Sequence, residues 1–320
     1  MRAQRIRKGG MKDRHGNLIV EEYYSLLERD LMPRQETGIP SSAHHERLNE
    51  FSGRMVLEIK AVSKVFVGTG DYELDANSIY HPFASTGGLN KKLIIPGTCI
   101  KGVVRTYAEA LSPSCEGGRY RGRECGECIC CSIFGALGFQ GRATFCDTEP
   151  LDPVDKTDIY TMSVRWQGRK HDGRRFYFHQ KPASSRLINP WTNTLLPDER
   201  VEVVVEGTCF TSELLFENLS RLEIGLLLLA MGLAPNYQFH LKLGGGKNRG
   251  LGRVRFRLPN GIEVVTANPY GTFSLHYDPK PIADWGEESI LAYWDWLHGL
   301  DPNDYRRIAE ANIQAFQRDP

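Results

Sequence analysis

The chain has 320 residues with a formal net charge of +1, 41% apolar residues and 25% charged residues. This composition is typical of a globular protein with one large domain or two small ones, and it excludes a disordered chain, a collagen and a coiled coil. The longest strongly apolar run, residues 224–234, is shorter than the ~18 residues that cross a bilayer. The first residues, MRAQRIRKGG, lack the apolar region of an export signal. We therefore expect a cytoplasmic protein without a membrane partner.

Residues 1–50 are predicted to be a polar arm. Six basic residues and one acidic residue lie among the first fourteen, and there are too few apolar side chains to bury a core. Because the net charge of the whole chain is close to zero, affinity for a polyanion must come from local clusters.

The body begins with a predicted strand and helix. Residues 55–61 alternate apolar with other side chains, which predicts a strand. After a glycine-containing loop, Pro96 and Gly97 break the chain. Thr98 is a candidate N-cap, and apolar residues follow at helical spacing as far as Leu111.

The second half repeats this order. Residues 201–210, VEVVVEGTCF, are predicted to form one strand. Ser220 and Glu223 form a capping box that opens a helix through Met231. The two halves are therefore expected to share a plan.

A glycine-rich turn leads into a predicted strand at residues 253–258, and Asn260 with Gly261 is predicted to close a hairpin onto residues 262–266. The order βαβ, insertion, βαββ predicts an α+β fold of the ferredoxin-like type, with helices on one face of a mostly antiparallel sheet. Residues 279–320, which contain three tryptophans, are predicted to be a helical tail that packs on the body or on a neighbour.

Five of the eight cysteines lie within residues 115–131, which favours a reduced metal site over a disulfide framework. Four have the spacing of a structural Zn²⁺ site: Cys115, Cys125, Cys128 and Cys131. Four sulfur ligands leave no position for an activated water, so the metal would brace a loop. Cys130 competes with Cys128 or Cys131 as a ligand. The remaining cysteines are predicted to be small buried hydrophobic residues: Cys99, Cys146 and Cys209.

The glycine-rich turn, residues 244–252, is a candidate anion site because backbone N–H groups without neighbouring side chains can cradle phosphate oxygens. It is not a P-loop, since no Ser or Thr follows Lys247 and a strand follows in place of a helix. The residues predicted to bind a polyanion here are Gly244, Gly245, Gly246, Lys247, Asn248 and Arg249.

Three arginines of the next strand, Arg253, Arg255 and Arg257, share the face opposite its apolar residues. We call them the arginine row. Guanidinium groups so arranged suit a phosphate backbone. The alternative is an edge strand that carries charge against aggregation.

Two more groups of cations are candidates. Lys101 and Arg105 lie in a helix with no acid in its first three turns, which suits a bound anion near free N–H groups at the helix start. Residues 165–186 interleave basic residues, including Arg174 and Arg175, with aromatic ones, as in proteins that hold single-stranded nucleic acid. A basic hairpin whose aromatic rings face the core is the alternative.

Three stretches resemble the signature motifs of the RAMP superfamily of CRISPR-associated RNA-binding proteins: IIPGTCIKGVVR, SIFGALGFQGRATFCD and LGGGKNRGLGRVRF. They occur in the same order and span most of residues 51–258. The cysteines before the second motif resemble those of zinc-bearing backbone subunits of type III effector complexes. The resemblance implies a modified RNA-recognition fold over residues 51–278, with a zinc loop at about 112–133. It also implies an inserted hairpin, the thumb, for which residues at about 151–198 are the candidate.

The resemblance also implies partners and a reaction. Such subunits assemble along a guide RNA (crRNA) with copies or paralogues of themselves and other effector subunits, and they engage a target RNA. In them an acidic residue before the Pro-Gly helix supports target cleavage with Mg²⁺ or Mn²⁺. Here Asp75 is the preferred candidate and Asp71 the second, although either acid fits a solvated turn equally well. His81, His44 and His45 are further acid–base candidates.

Two other functions remain open. A stand-alone endoribonuclease of the same superfamily would process precursor guide RNA, often with a histidine, but the cysteine cluster suits a backbone subunit better. A zinc-stabilised enzyme acting on a small phosphorylated molecule would need a compact pocket, and the dispersal of the basic clusters along the chain argues against it.

Overall fold

The computed structural model describes residues 6–12, 18–27, 50–75, 78–87, 91–115, 125–151, 157–163, 174–177, 198–266, 276–301 and 304–317. The helices are α1 (Gly97–Leu111), α2 (Ile129–Phe134), α3 (Arg221–Ala230), α4 (Glu287–Leu300) and α5 (Tyr305–Gln317). The strands are β1 (Ile6–Lys12), β2 (Leu18–Leu27), β3 (Phe51–Ala61), β4 (Glu73–Asp75), β5 (Ser78–Tyr80), β6 (Gly135–Ala136), β7 (Phe139–Gln140), β8 (Ala143–Phe145), β9 (Glu149–Pro150), β10 (Thr157–Ser163), β11 (Arg174–Tyr177), β12 (Asp198–Val204), β13 (Cys209–Leu219), β14 (Leu241–Lys242), β15 (Arg253–Arg257), β16 (Ile262–Thr266) and β17 (His276–Lys280).

β3 is the central strand of the main antiparallel sheet. Its side chains alternate as predicted, with Met55, Leu57, Ile59 and Ala61 buried. β13 pairs with one edge of β3, whereas β15 and then β16 pair with the other edge. One core cluster joins the inward residues of β3 and β13 to residues of all five helices, so the fold is mixed α/β.

β15 and β16 do not form the predicted hairpin. β15 pairs with residues 58–61 of β3 and β16 with residues 53–55, so the chain continues in the same direction. Between the strands Gly261 has a φ of +70°, a conformation that favours glycine. This turn moves the chain along one edge of β3 without reversing it.

Residues 201–210 form parts of two strands, not the single strand that was predicted. β12 ends at Val204, a turn at Glu206 and Gly207 follows, and β13 begins at Cys209. The rest of β13, the direct neighbour of β3, was not predicted at all.

The N-terminal caps of two helices differ in how well the sequence indicated them. Ser220 and Glu223 form the predicted capping box of α3. α1 begins at Gly97 with Pro96 as its N-cap, so Thr98 lies inside the first turn and is not the cap.

The C-terminal helices pack against α1 and α3, as expected for a helical tail. They also satisfy carbonyl groups at the end of α1, which have no partner within that helix. The Tyr293 hydroxyl donates to the Leu111 carbonyl at 2.6 Å, and Asn312 Nδ2 donates to the Ala110 carbonyl at 2.7 Å. α1 is therefore held in place from behind.

The predicted polar arm contains β1 and β2, which pair with each other, and β2 also pairs with β11 of the insertion. β10 and β12 pair at the base of the insertion, with Ser163 opposite Asp198. In β11, Phe176 is buried against Tyr107 and Phe316. The insertion is thus fixed to the body at two places.

Candidate nucleic-acid interface

A cleft of about 670 Å³ lies where α1 faces the glycine-rich turn. The loop after β3 and the end of β11 complete its walls. Residues that line it include Gly70, Thr98, Gly102, Tyr177, Gly244 and Lys247. Three segments that the sequence indicated as binding candidates therefore meet at one cleft: α1, the glycine-rich turn and the end of β11.

The wall formed by α1 consists of small residues. Thr98, Gly102 and Thr106, each four residues from the next, line the cleft, and a Cβ atom at Gly102 would meet no heavy atom within 4 Å. The N–H group of Gly97 was expected to be free for an anion, but it donates to Asp147 Oδ1 at 2.7 Å. The α1 wall thus offers space more than free helix-end donors.

The glycine-rich turn is tightly packed against the body. Gly244 has a φ of +79°, and a Cβ atom there would lie 2.0 Å from the Phe66 carbonyl oxygen. Gly246 has a φ of +65°, and its Cβ would lie 2.7 Å from the Leu251 side chain. A left-handed backbone costs other residues about 1–2 kcal/mol even without such contacts. The shape of the turn is therefore fixed in advance of any ligand.

The N–H groups of this turn are less available than the sequence suggested. Gly245 N–H donates to the Phe66 carbonyl at 2.8 Å, and Arg249 N–H donates to the Gly246 carbonyl at 2.8 Å. The Arg249 side chain is buried, and neither it nor Asn248 lines the cleft. The positive charge that the turn presents to the cleft comes from Lys247.

Lys247 lines the cleft beside Cys99. Burial lowers the pKa of Lys247, with a smaller opposing effect from Cys99. No carboxylate in the described part of the chain pairs with its ammonium group. Lys242 also lines the cleft, and Glu199 is the acid among the lining residues. An anion beside Lys247 would compensate its lost hydration and raise its pKa again.

The arginine row lies outside this cleft, on the face of β15 that points away from the core. Arg253 and Arg255 contact neutral groups, His240 Nδ1 at 2.9 Å and Gln238 Oε1 at 3.1 Å. Arg257 lies 3.6 Å from a glutamate oxygen of β3. A carboxylate therefore pairs with the last arginine, whereas among the described residues Arg255 contacts a neutral amide.

The two cations of α1 have different surroundings. Lys101 is half-buried, and burial followed by the charge of Arg105 lowers its pKa. Arg105 points into the fold: Nε donates to Glu109 at 2.8 Å, Nη1 donates to the Gly135 carbonyl at 3.0 Å, and Nη2 lies 3.7 Å from Cys131 Sγ. Arg105 therefore contacts Cys131, one of the four predicted zinc ligands, and its contact with RNA stays a prediction.

The acidic candidates lie in and before the β4–β5 hairpin. Asp71 is exposed, and its carbonyl oxygen lies 3.3 Å from Nδ1 of His81, which lines the cleft. Asp75 ends β4, but its side chain lies outside the described residues, as do His44 and His45. Asp71 therefore lies beside two residues that line the cleft, Gly70 and His81, but is not itself among the lining residues.

Most of the basic cluster at residues 165–186 lies outside the described residues. The backbone of Arg174 and Arg175 belongs to β11, and their side chains lie outside the described residues. Of the neighbouring aromatic residues, Phe176 is buried and Tyr177 is half-exposed, and both line the cleft. The core-facing alternative therefore holds for Phe176.

The four predicted zinc ligands come together, with their Sγ atoms all within 4.8 Å of one another. We call Cys115, Cys125, Cys128 and Cys131 the cysteine cluster. Three of the Sγ–Sγ distances are 3.4, 3.6 and 4.0 Å. Tetrahedral Zn²⁺ with Zn–S bonds of about 2.3 Å places its sulfurs about 3.8 Å apart. The cluster therefore fits one Zn²⁺.

Local hydrogen bonds prepare this cluster for a cation. The backbone N–H groups of Glu127 and Cys128 lie 3.4 and 3.2 Å from Cys125 Sγ. Hydrogen bonding between Cys128 and the side chains of Cys115 and Cys131 holds the pKa of Cys128 far below that of an ordinary cysteine. A thiolate is thus favoured at Cys128, and thiolates are the form that binds Zn²⁺.

Cys130 is not a member of the cluster. Its Sγ lies 3.4 Å from Ser112 Oγ, and burial raises its pKa to about 12. The geometry therefore resolves the competition in favour of Cys128 and Cys131. The other three cysteines were predicted to be buried, but they are half-exposed: Cys99, Cys146 and Cys209.

A family model described as the RAMP superfamily matches residues 58–255, which is more than half of the chain. The matched region includes α1, the cysteine cluster, the cleft walls and most of the arginine row. No individual curated protein gave a match. Across the described ranges, none of the helices combines the length and apolar character needed to span a membrane.

Proposed function

The chain belongs to the RAMP superfamily, and we propose that it is a guide-RNA-binding backbone subunit of a type III CRISPR effector complex. Membership of the superfamily implies a CRISPR-associated role in RNA binding. The finer assignment to a backbone subunit, with a ferredoxin-like or RNA-recognition fold, is our proposal.

The observation that carries the proposal is the cleft between α1 and the glycine-rich turn. It has a rigid wall, small residues along α1 and a lysine, Lys247, whose charge meets no carboxylate of the described fold. A phosphate backbone supplies the missing negative charge, and its affinity depends on such cations. We propose that the guide RNA passes through this cleft, and that Lys101 and the arginine row extend the contact outside it.

The cysteine cluster supports a backbone subunit over a stand-alone processing enzyme. Four thiolates around Zn²⁺ leave no open coordination site, so the metal would brace the segment after α1 and take no part in hydrolysis. When bound, Zn²⁺ would supply a rigid link between that segment and α2. Copies of this chain, paralogues and other effector subunits are the proposed protein partners, and target RNA pairs with the guide.

Cleavage of the target RNA is a separate proposal. Asp71 follows Gly70, and its carbonyl oxygen lies 3.3 Å from Nδ1 of His81; Gly70 and His81 both line the cleft. A carboxylate beside the cleft can hold Mg²⁺ or Mn²⁺. We expect Asp71→Asn to abolish metal-dependent cutting while guide binding persists. If Asp75→Asn abolishes cutting and Asp71→Asn does not, the catalytic acid is Asp75. If both variants cut normally, cleavage belongs to another subunit.

Salt-dependent RNA binding tests the proposed function. Purified full-length protein should bind single-stranded RNA with an affinity that falls steeply with salt, and Lys247→Gln should weaken binding and reduce the slope of log K against log salt by about 1. Lys280→Gln is the matched control, because Lys280 lies on β17 outside the cleft and pairs with Asp278. An affinity that is absent or insensitive to salt would contradict the proposal.

The alternative function, processing of precursor guide RNA, is kept because His81 lines the cleft. It predicts that the isolated chain cuts repeat RNA without added metal and that His81→Ala abolishes the cutting. Binding without cutting would leave the backbone role as the better assignment.

A further inference from the structure

The β4–β5 hairpin places its apolar side chains on the outside. Leu74 and Ile79 lie directly opposite each other across the two strands and are 82% and 57% exposed. Tyr72, on the same side, is 69% exposed, and its ring centroid lies 4.4 Å from that of His81. We call these four residues the outer face of the hairpin.

The opposite side of the hairpin is polar and is bonded to the rest of the protein. Tyr80 Oη donates to Glu73 Oε2 at 2.8 Å, and Lys91 Nζ donates to Glu73 Oε1 at 3.0 Å. A hairpin on a globular protein normally turns its apolar side inward. In the β4–β5 hairpin the apolar side faces outward and the polar side faces the protein. A contact outside the described fold is therefore needed to remove the outer face from water.

The outer face is continuous with the cleft. His81 lines the cleft and also forms the ring contact with Tyr72. Its backbone is fixed, because its N–H donates to the Arg200 carbonyl and its carbonyl accepts from Glu202 N–H, both at 2.8 Å. A strand of RNA that leaves the cleft past His81 therefore meets Tyr72 next.

We propose that the outer face is a base-stacking platform for single-stranded RNA, an inference that rests on the proposed function of the cleft. One nucleobase stacks on the Tyr72 and His81 rings, and Leu74 with Ile79 lies between that base and the next. Aromatic rings accept any base in this way, since every base has a flat π face. The platform adds affinity without sequence preference and independently of charge.

The test compares substitutions on the full-length protein with single-stranded RNA that carries 2-aminopurine at successive positions. Wild type should change the 2-aminopurine fluorescence at one position, where a base leaves its neighbours and stacks on the Tyr72 ring. Tyr72→Ala should abolish this change and weaken binding about tenfold, with an unchanged salt slope. Leu74→Asn should act in the same direction, whereas Leu137→Asn, at a leucine that is 85% exposed in another turn, should have no effect.

The outcomes separate this inference from the proposed function. If Lys247→Gln weakens binding but Tyr72→Ala and Leu74→Asn do not, the platform is wrong and the cleft stands. If wild type shows no salt-dependent RNA binding, both are wrong. If Leu74→Asn prevents self-association in size-exclusion chromatography and leaves RNA binding intact, the outer face is a protein interface and the inference fails.

Discussion

His240, at the residue scale, reports on the charge of the arginine row. Burial and then the charges of Arg253 and Arg255 lower its pKa to about 4. We expect an NMR titration of the folded protein to give a value near 4, and Arg253→Gln to raise it, because one of the repelling charges is removed. A value near 6.5 in the wild type would contradict the described packing of this histidine.

The same shift has a consequence for stability. Since an unfolded histidine has a pKa near 6.5, the unfolded state binds more protons between about pH 6.5 and 4. The contribution of neutral His240 is complete above that range and is lost as the pH falls towards 4. RNA phosphates next to Arg255 would offset its repulsion and raise the pKa of His240.

Single residues were predictable where the signal is local. Ser220 and Glu223 form the capping box from within one turn of helix, and the spacing of four cysteines indicated their meeting point. The contacts of Arg105 were not predicted, because two of its partners, Gly135 and Cys131, come from a segment 26 or more residues away. Nothing in the sequence near Arg105 marks those contacts.

The cysteine cluster gives a prediction at the scale of an element. Cys128→Ser should remove the bound zinc and lower the melting temperature, because Zn²⁺ joins the two ends of the segment between α1 and α2. Cys209→Ser is the control, since Cys209 lies outside the cluster at the start of β13. Metal analysis and thermal unfolding measure both effects. Equal zinc content in the two variants would contradict the site.

Arg105 gives a second prediction for the same element. Its Nη2 contact with Cys131 should stabilise thiolate charge, so Arg105→Gln should weaken zinc binding by about 10–100-fold, the usual effect of losing such a partner. Lys101→Gln removes a charge from the same helix without touching a cysteine and should leave zinc affinity unchanged. Competition with a chelator of known affinity measures this difference. Equal losses in both variants would indicate a general effect of charge.

Elements were predicted less well where strands lie close in sequence. Residues 201–205 read VEVVV, and a turn at Gly207 follows. The strand after the turn also alternates, so the pattern did not reveal the break between the two strands. Asn260-Gly261 is a strong hairpin signal, yet both flanking strands pair with β3. Pairing with a strand about two hundred residues away overrode the local signal.

At the scale of the whole molecule, the cleft depends on segments that no local pattern connects. The glycine-rich turn packs through Leu251 with Phe66, Met162 and the inward valines of β12. Composition suggested that residues 1–50 are an arm, but β2 pairs with β11. These contacts join distant parts of the chain and are therefore invisible to periodicity. They hold the turn opposite α1.

The most direct test of RNA binding in this cleft is a comparison of two glycine substitutions. Gly102 lines the cleft, whereas Gly299 is exposed in α4, and a Cβ atom at either position would meet no heavy atom within 4 Å. Gly102→Glu and Gly299→Glu therefore add the same charge to a helix without a steric conflict.

We expect Gly102→Glu to weaken binding of single-stranded RNA at least about tenfold, because its carboxylate would occupy the cleft and repel phosphate. Gly299→Glu should bind like the wild type. Equal affinities for the two variants, measured at one salt concentration on folded protein, would contradict the placement of RNA between α1 and the glycine-rich turn.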